Sequence, residues 1–274
     1  DGNGVGDFKY SVPSGYLALC TANLPDPTIG PTTSSLATDN FNTVLYTGND
    51  STNNITGVGF QPDWVWIKQR NAAENHFLTD SVRGAGLHLR ADQTTAESDT
   101  SATFTTFGAD GFSLTGSGSA APQVNDDSDT YVAWNWKAGG SASSNSDGDI
   151  TSSVSVNTAA GFSIATFTKG SGVETVGHGL SVAPDLLLVK RRNGSGSWYV
   201  YHSGAASDAE TDYLRLNSTD AASDNATLWG DTAPTTSVFS VGAAFNSGET
   251  LVCYAFHSVE GYCKVSSYSG NSDA

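Results

Sequence analysis

The sequence predicts an all-β protein made of tandem antiparallel β-sandwich modules of the jelly-roll or concanavalin-like kind, and three observations carry that expectation. Short runs rich in Val, Thr and aromatic residues alternate with clusters of Gly, Asn, Asp and Ser, the pattern of strands joined by turns. Residues that favour exposed helix faces are scarce: Met is absent, 15% of the 274 residues are charged, and glycines number 30. Finally, a long part of the chain occurs twice.

The repeat sets the domain plan. Gln61-Pro62-Asp63-Trp64-Val65-Trp66-Ile67-Lys68-Gln69-Arg70-Asn71 aligns without a gap on Ala183-Pro184-Asp185-Leu186-Leu187-Leu188-Val189-Lys190-Arg191-Arg192-Asn193. Upstream, Phe41-Asn42-Thr43-Val44-Leu45-Tyr46-Thr47 answers Phe162-Ser163-Ile164-Ala165-Thr166-Phe167-Thr168. Downstream, Thr130-Tyr131-Val132-Ala133-Trp134-Asn135-Trp136 answers Thr250-Leu251-Val252-Cys253-Tyr254-Ala255-Phe256. Module 1 is placed at 31–140, a Gly/Ser-rich stretch at 141–159 reads as a flexible linker, and module 2 occupies 160–274. Near its end, Gly261 to Asn271 resembles the opening of module 1 from Val44 to Asn49, so 264–274 either begins a third module or completes the second.

Within module 1, strands are expected near 43–48, 63–69, 76–80, 86–90, 103–107, 111–115 and 130–137, with 78–89 and 212–216 also compatible with a helical turn. Side chains alternate along a strand. Trp64, Trp66 and Lys68 therefore share one face and Val65 and Ile67 the other; in module 2 the faces become Leu186, Leu188, Lys190 and Leu187, Val189. Both faces are apolar in both copies, as in a central strand covered on each side. Exchange of Trp for Leu keeps bulk and discards the indole, so core packing is the first reading of Trp64 and Trp66 and a sugar-stacking platform the second. Trp134 and Trp136, answered by Tyr254 and Phe256, read as core by the same logic. Lys68, Arg70, Lys190 and Arg192 recur at matched places, either as strand-end cations paired with carboxylates or as contacts for an acidic glycan or a neighbouring subunit.

Composition narrows the function. A formal net charge of −16 excludes a phosphate-binding surface, because nucleic-acid binding needs a basic footprint. No apolar run reaches the length of a membrane span. Three cysteines, Cys20, Cys253 and Cys263, do not make a disulfide framework, although a Cys253–Cys263 bridge is compatible with their spacing. The five histidines fall in no metal-ligand spacing, and no nucleophile elbow or phosphate cradle occurs, so no enzyme is expected. Calcium is the one cofactor suggested, through hard oxygens clustered at 1–7 and at Asp126, Asp127 and Asp129. The absence of Met and the start at Asp1 suggest an internal piece of a longer polypeptide.

Gly6-Asp7-Phe8-Lys9-Tyr10 through Asn23-Leu24-Pro25 resembles the closing strand and exit segment of SPRY-type sandwiches in phage fibre proteins. The modules, through FNTVLYTGN, GFQPDWVWIK, DSVRG and TYVAWNWKAG, are similar to repeats that follow such domains in virion proteins of tailed, notably marine, phages. Module 2 lacks DSVRG and the tryptophans. The resemblance implies that 1–30 is the end and Pro-rich exit of a preceding SPRY-like domain. It also implies a virion, extracellular location, other virion proteins as partners, and a homo-oligomer such as a trimer. The expected function is a non-enzymatic structural and adhesive segment that spaces a fibre and attaches to a host-surface glycan or protein. A carbohydrate-binding or depolymerising module and a capsid decoration protein are the alternatives.

Overall fold

The computed structural model describes residues 29–30, 35–99, 103–116, 123–205, 208–268 and 270. The segment read as a SPRY-like exit, 1–30, lies outside the described residues except for Ile29 and Gly30, as does the oxygen cluster at 1–7. Apart from a 3-10 turn at Ala37–Asp39, the regular structure is strand.

The first half contains β1 (Phe41–Thr47), β2 (Asn53–Ile55), β3 (Trp64–Gln69), β4 (Phe77–Asp80), β5 (Leu87–Arg90), β6 (Ser98–Asp99), β7 (Phe104–Gly108), β8 (Gly111–Leu114) and β9 (Thr130–Trp136). The second contains β10 (Ser143–Asn145), β11 (Ser152–Asn157), β12 (Phe162–Thr168), β13 (Glu174–Gly177), β14 (Leu186–Arg191), β15 (Trp198–His202), β16 (Asp212–Arg215), β17 (Ser223–Asp224), β18 (Val238–Val241) and β19 (Thr250–Phe256). One large sheet runs β1-β9-β3-β4-β5-β6 and the other β10-β11-β12-β19-β14-β15-β16-β17. From β12 onward the second sheet repeats the order of the first, strand for strand, and the small sheets β2-β8-β7 and β13-β18 cover the two outer faces. The register is shared too, with Phe41 opposite Trp136 and Phe162 opposite Phe256.

Alternation along these strands makes three apolar layers. Val65, Ile67, Tyr131 and Ala133 pack on Ile55, Phe104, Phe112 and Leu114 of the first small sheet. Leu187, Val189, Cys253 and Ala255 pack on Val176, Phe239 and Val241 of the second. The opposite faces of the two large sheets meet each other, with Trp64, Leu78 and Leu89 against Phe162, Leu188, Trp198 and Tyr254. Each half is a sandwich, and the two sandwiches share a seam.

Two expectations change. The stretch 141–159 is not a tether: it supplies β10 and β11, which extend the larger sheet beyond β12. Its Ser and Gly residues serve close packing. Ser155 Oγ accepts from Gly139 N–H at 2.9 Å and donates to the Gly140 carbonyl at 2.8 Å, and a Cβ on Gly148 would lie 2.4 Å from the Thr175 carbonyl oxygen, so only glycine fits there. The segment 78–89 holds parts of β4 and β5 joined by a single α-turn, closed by Gly84 N–H on the Asp80 carbonyl at 3.1 Å, whereas 212–216 holds strand β16, paired to β15. Cys253 and Cys263 are free thiols, with Cys253 buried in the second sandwich. Cys263 closes a small bridge with Val259, and 264–268 forms no strand.

Candidate functional site at the seam between the halves

The repeated motif is a frame before it is a site. Asp63 N–H donates to the Trp136 carbonyl, and the Asp63 carboxylate accepts from Ala138 N–H and Ser81 Oγ. Asp185 repeats this with Phe256, Ser258 N–H and Ser203 Oγ. At the far end of the motif Asn71 Oδ1 accepts from Thr130 N–H, and Asn193 Oδ1 from Thr250 N–H. The recurring Asp and Asn thus pin both ends of β3 to β9 and of β14 to β19.

The recurring cations also turn inward, with one exception. Lys68 Nζ donates to the carbonyls of Gln69 (2.6 Å) and Ala72 (2.9 Å). Lys190 is fully buried and donates to the Arg191 carbonyl at 2.8 Å. Arg192 forms a two-point pair with Glu97, both contacts at 2.9 Å. Lys68 and Lys190 thus hold backbone carbonyls of the frame, and Arg192 holds Glu97 across the seam. Of the four, Arg70 alone has an exposed head with no side-chain partner among the described residues.

Trp64 is 1% exposed and sits in the seam, its ring 4.2 Å from that of Tyr254 and 4.4 Å from that of Trp136. Trp66 is half-buried; its Nε1 donates to His76 Nδ1 at 2.8 Å, and its ring meets Trp134 nearly edge-on, at 81°. The Trp64 and Trp66 rings are tilted by 51° to each other, so the two indoles share no single flat surface. Trp134 and Trp136, expected in a core, are half-buried, because the second sheet covers only part of that face.

What joins the halves is a buried ionic cluster, of which only Arg192 was anticipated from the sequence. Asp80, fully buried, accepts from Val82 and Arg83 N–H, from Arg83 Nε and from Tyr254 Oη at 2.7 Å. Arg83 further donates to Tyr254 Oη at 3.1 Å and to Glu97 at 2.9 Å, and Glu97 receives Arg192 of the second half. Burial opposes the charge of Arg83, but Asp80, Tyr254 and Glu97 more than offset it and raise its pKa. Burial pushes Glu97 up while Arg192 and Arg83 pull it down, with a net lowering. DSVRG, present only in module 1, is thereby explained: Asp80 and Arg83 reach across to Tyr254, and His202 holds the place of Asp80 in module 2. Sequence spacing gave no sign of this, because the partners are distant in the chain.

Lys190 lacks such compensation. Burial, then Arg191, lower its pKa from 10.5 to about 8, partly countered by Glu97. A base with a lowered folded-state pKa costs stability wherever both states are charged, below about pH 8, and the cost fades as pH rises toward 10.5. Lys190→Met is expected to raise stability by about 1–3 kcal/mol at pH 7. Urea titrations of both proteins from pH 7 to 10 check this, with the gap narrowing as pH rises.

The acids proposed for calcium serve turns. Asp129 accepts from Asn71 Nδ2, Asp127 from Ser128 Oγ, and Asp126 N–H donates to Tyr131 Oη. No group of three His, Cys, Asp or Glu suited to a metal occurs among the described residues, so Asp126, Asp127 and Asp129 do not converge as a donor set. Depressions of about 410 and 550 Å³, the first lined by Ser, Thr, Phe167 and Arg192 and the second by Ser258–Lys264, bring no two carboxylates together. No described helix is long and apolar enough to cross a membrane.

No curated protein and no solved structure matches the chain. A family model described as "Domain of unknown function (DUF7483)" matches residues 36–274, a span that takes in both sandwiches and the seam that joins them, and the chain belongs to that family.

Proposed function

We propose that the chain is a non-enzymatic structural and adhesive segment of a bacteriophage fibre or related virion appendage, in which two fused sandwiches act as a stiff spacer and present a surface to the host. The seam is the observation that carries this reading. A spacer must hold orientation under load. Stacked aromatics and a buried ionic cluster do so, whereas a Gly/Ser tether would let the modules swing. The similarity of FNTVLYTGN, GFQPDWVWIK and TYVAWNWKAG to phage virion repeats supports the location, outside the cell and among other virion proteins. Arg70, the recurring cation with an exposed head, is the first residue to test as a contact for a host glycan or protein.

Trp64 in the seam and the perpendicular Trp66–Trp134 pair weigh against the carbohydrate-groove alternative. A capsid decoration protein would need the same stiffness and differs in where it sits. Antibody-labelled electron microscopy of intact particles separates these: label on the tail is expected, label on the head shell transfers the role to decoration, and unlabelled particles refute the virion role.

A further inference from the structure

The outer edge of β1 distinguishes the two halves. Its counterpart β12 is paired on both sides, to β19 and to β11, with Ser153 opposite Thr166, Ser155 opposite Ile164 and Asn157 opposite Phe162. β1 pairs with β9 alone among the described residues, although Phe41, Thr43, Leu45 and Thr47 occupy the matching register positions. Bonds from Lys137 N–H to the Asn40 carbonyl and from Gly48 N–H to the Asp129 carbonyl fix the alternation. Asn42, Val44 and Tyr46 face β9, so Phe41, Thr43, Leu45 and Thr47 turn their backbone groups outward. Side chains tie down two of these groups: Asn42 Oδ1 accepts from Thr43 N–H, and Asn53 Nδ2 donates to the Thr47 carbonyl. The outward groups of Phe41 and Leu45 have no partner among the described residues.

The other outer strands of the large sheets are blunted. β6 and β17 have 2 residues each and end in Asp99 and Asp224, and β10 has 3. β1 has 7 residues, none charged and none proline, and its Leu45 is 62% exposed. A long, uncharged edge is a template for another strand, and natural sheets otherwise shield it.

We propose that β1 is an assembly edge that pairs antiparallel with β1 of a second copy of this chain, about a two-fold axis through Val44. The strand is self-complementary in that register: Phe41 falls opposite Thr47 and Thr43 opposite Leu45, so outward groups meet outward groups along its length. No charge lies between Phe41 and Gly48, so two chains of formal net charge −16 meet there without facing carboxylates. Asp39 and Asp50 flank the strand, and salt that screens them strengthens the association. Leu45 lies opposite Val132 and Thr43 opposite Trp134 within each copy, and the pairing brings the second Leu45 onto that same face.

Sedimentation velocity and backbone hydrogen exchange on the whole chain test this, with two variants. Leu45→Pro deletes an outward N–H and leaves the β9 ladder intact, whereas Leu45→Lys adds a charge without touching the backbone. The expected result is a dimer that tightens with salt and protects the Leu45 amide. Each variant weakens it by about tenfold or more, with the melting temperature unchanged at dilutions where the wild type is dissociated. A wild-type chain that stays monomeric overturns the proposal, including one whose Leu45 amide is protected by another segment of its own chain. So does an oligomer that neither variant weakens.

Discussion

Arg83→Met is expected to lower the unfolding free energy by about 3–5 kcal/mol, among the largest losses from a single polar residue in this chain. The reason is what it leaves behind. Asp80 is fully buried, and Arg83 supplies its charged contact directly and holds Tyr254 Oη and Glu97 around it. Removing the guanidinium strands a carboxylate away from water and strips one of the two arginines from Glu97. Paired with Asp80→Asn, the same change should cost much less than the sum of the singles, because the stranded charge is gone. Urea denaturation of the four proteins measures the coupling. Additive losses would show that Asp80 and Arg83 act independently.

The strands of the first half were legible because turn residues bracket short runs of β-branched and aromatic residues. The expectation of a strand over 63–69 meets β3 at Trp64–Gln69, and 111–115 meets β8 at Gly111–Leu114. Asn53–Ile55 and Ser98–Asp99 escaped, since strands of two or three residues, all but Ile55 polar, are too short to carry a periodic signal. β10 and β11 were hidden for another reason: Ser143–Asn145 and Ser152–Asn157 have the composition of a linker, and only pairing to β12 makes them sheet. The Trp-to-Leu exchange between copies correctly marked position 64 as buried, but burial does not say against what. Inspection of one module suggests its own core; the structure places Trp64 against the other module. DSVRG was visible only as a difference between copies. The two halves have diverged because each presents a different side of one seam, and a seam member needs no match in its twin.

Trp64→Ala should test that seam most directly, with an expected loss of about 3–5 kcal/mol. The indole touches both halves: Trp136 on its own sheet, and Tyr254, Phe162 and Phe256 on the other, with ring centroids between 4.2 and 6.1 Å. Truncation would open a cavity between two stiff sheets that can close only by sliding against each other, and sliding would disturb the Arg83–Tyr254 and Arg192–Glu97 contacts beside it. Its Nε1 has no acceptor among the described residues, so the truncation forfeits packing and no hydrogen bond. The wild type should melt in one transition, since neither sandwich can lose its seam face without exposing a Trp64-sized apolar surface on the other. Calorimetry should find that Trp64→Ala lowers the transition and separates the two halves. A change such as Val65→Ala, confined to one outer core, should lower it without separating them. A loss below about 1 kcal/mol for Trp64→Ala, or two transitions already present in the wild type, would mean that the sandwiches stand independently and that the seam does not stiffen the pair.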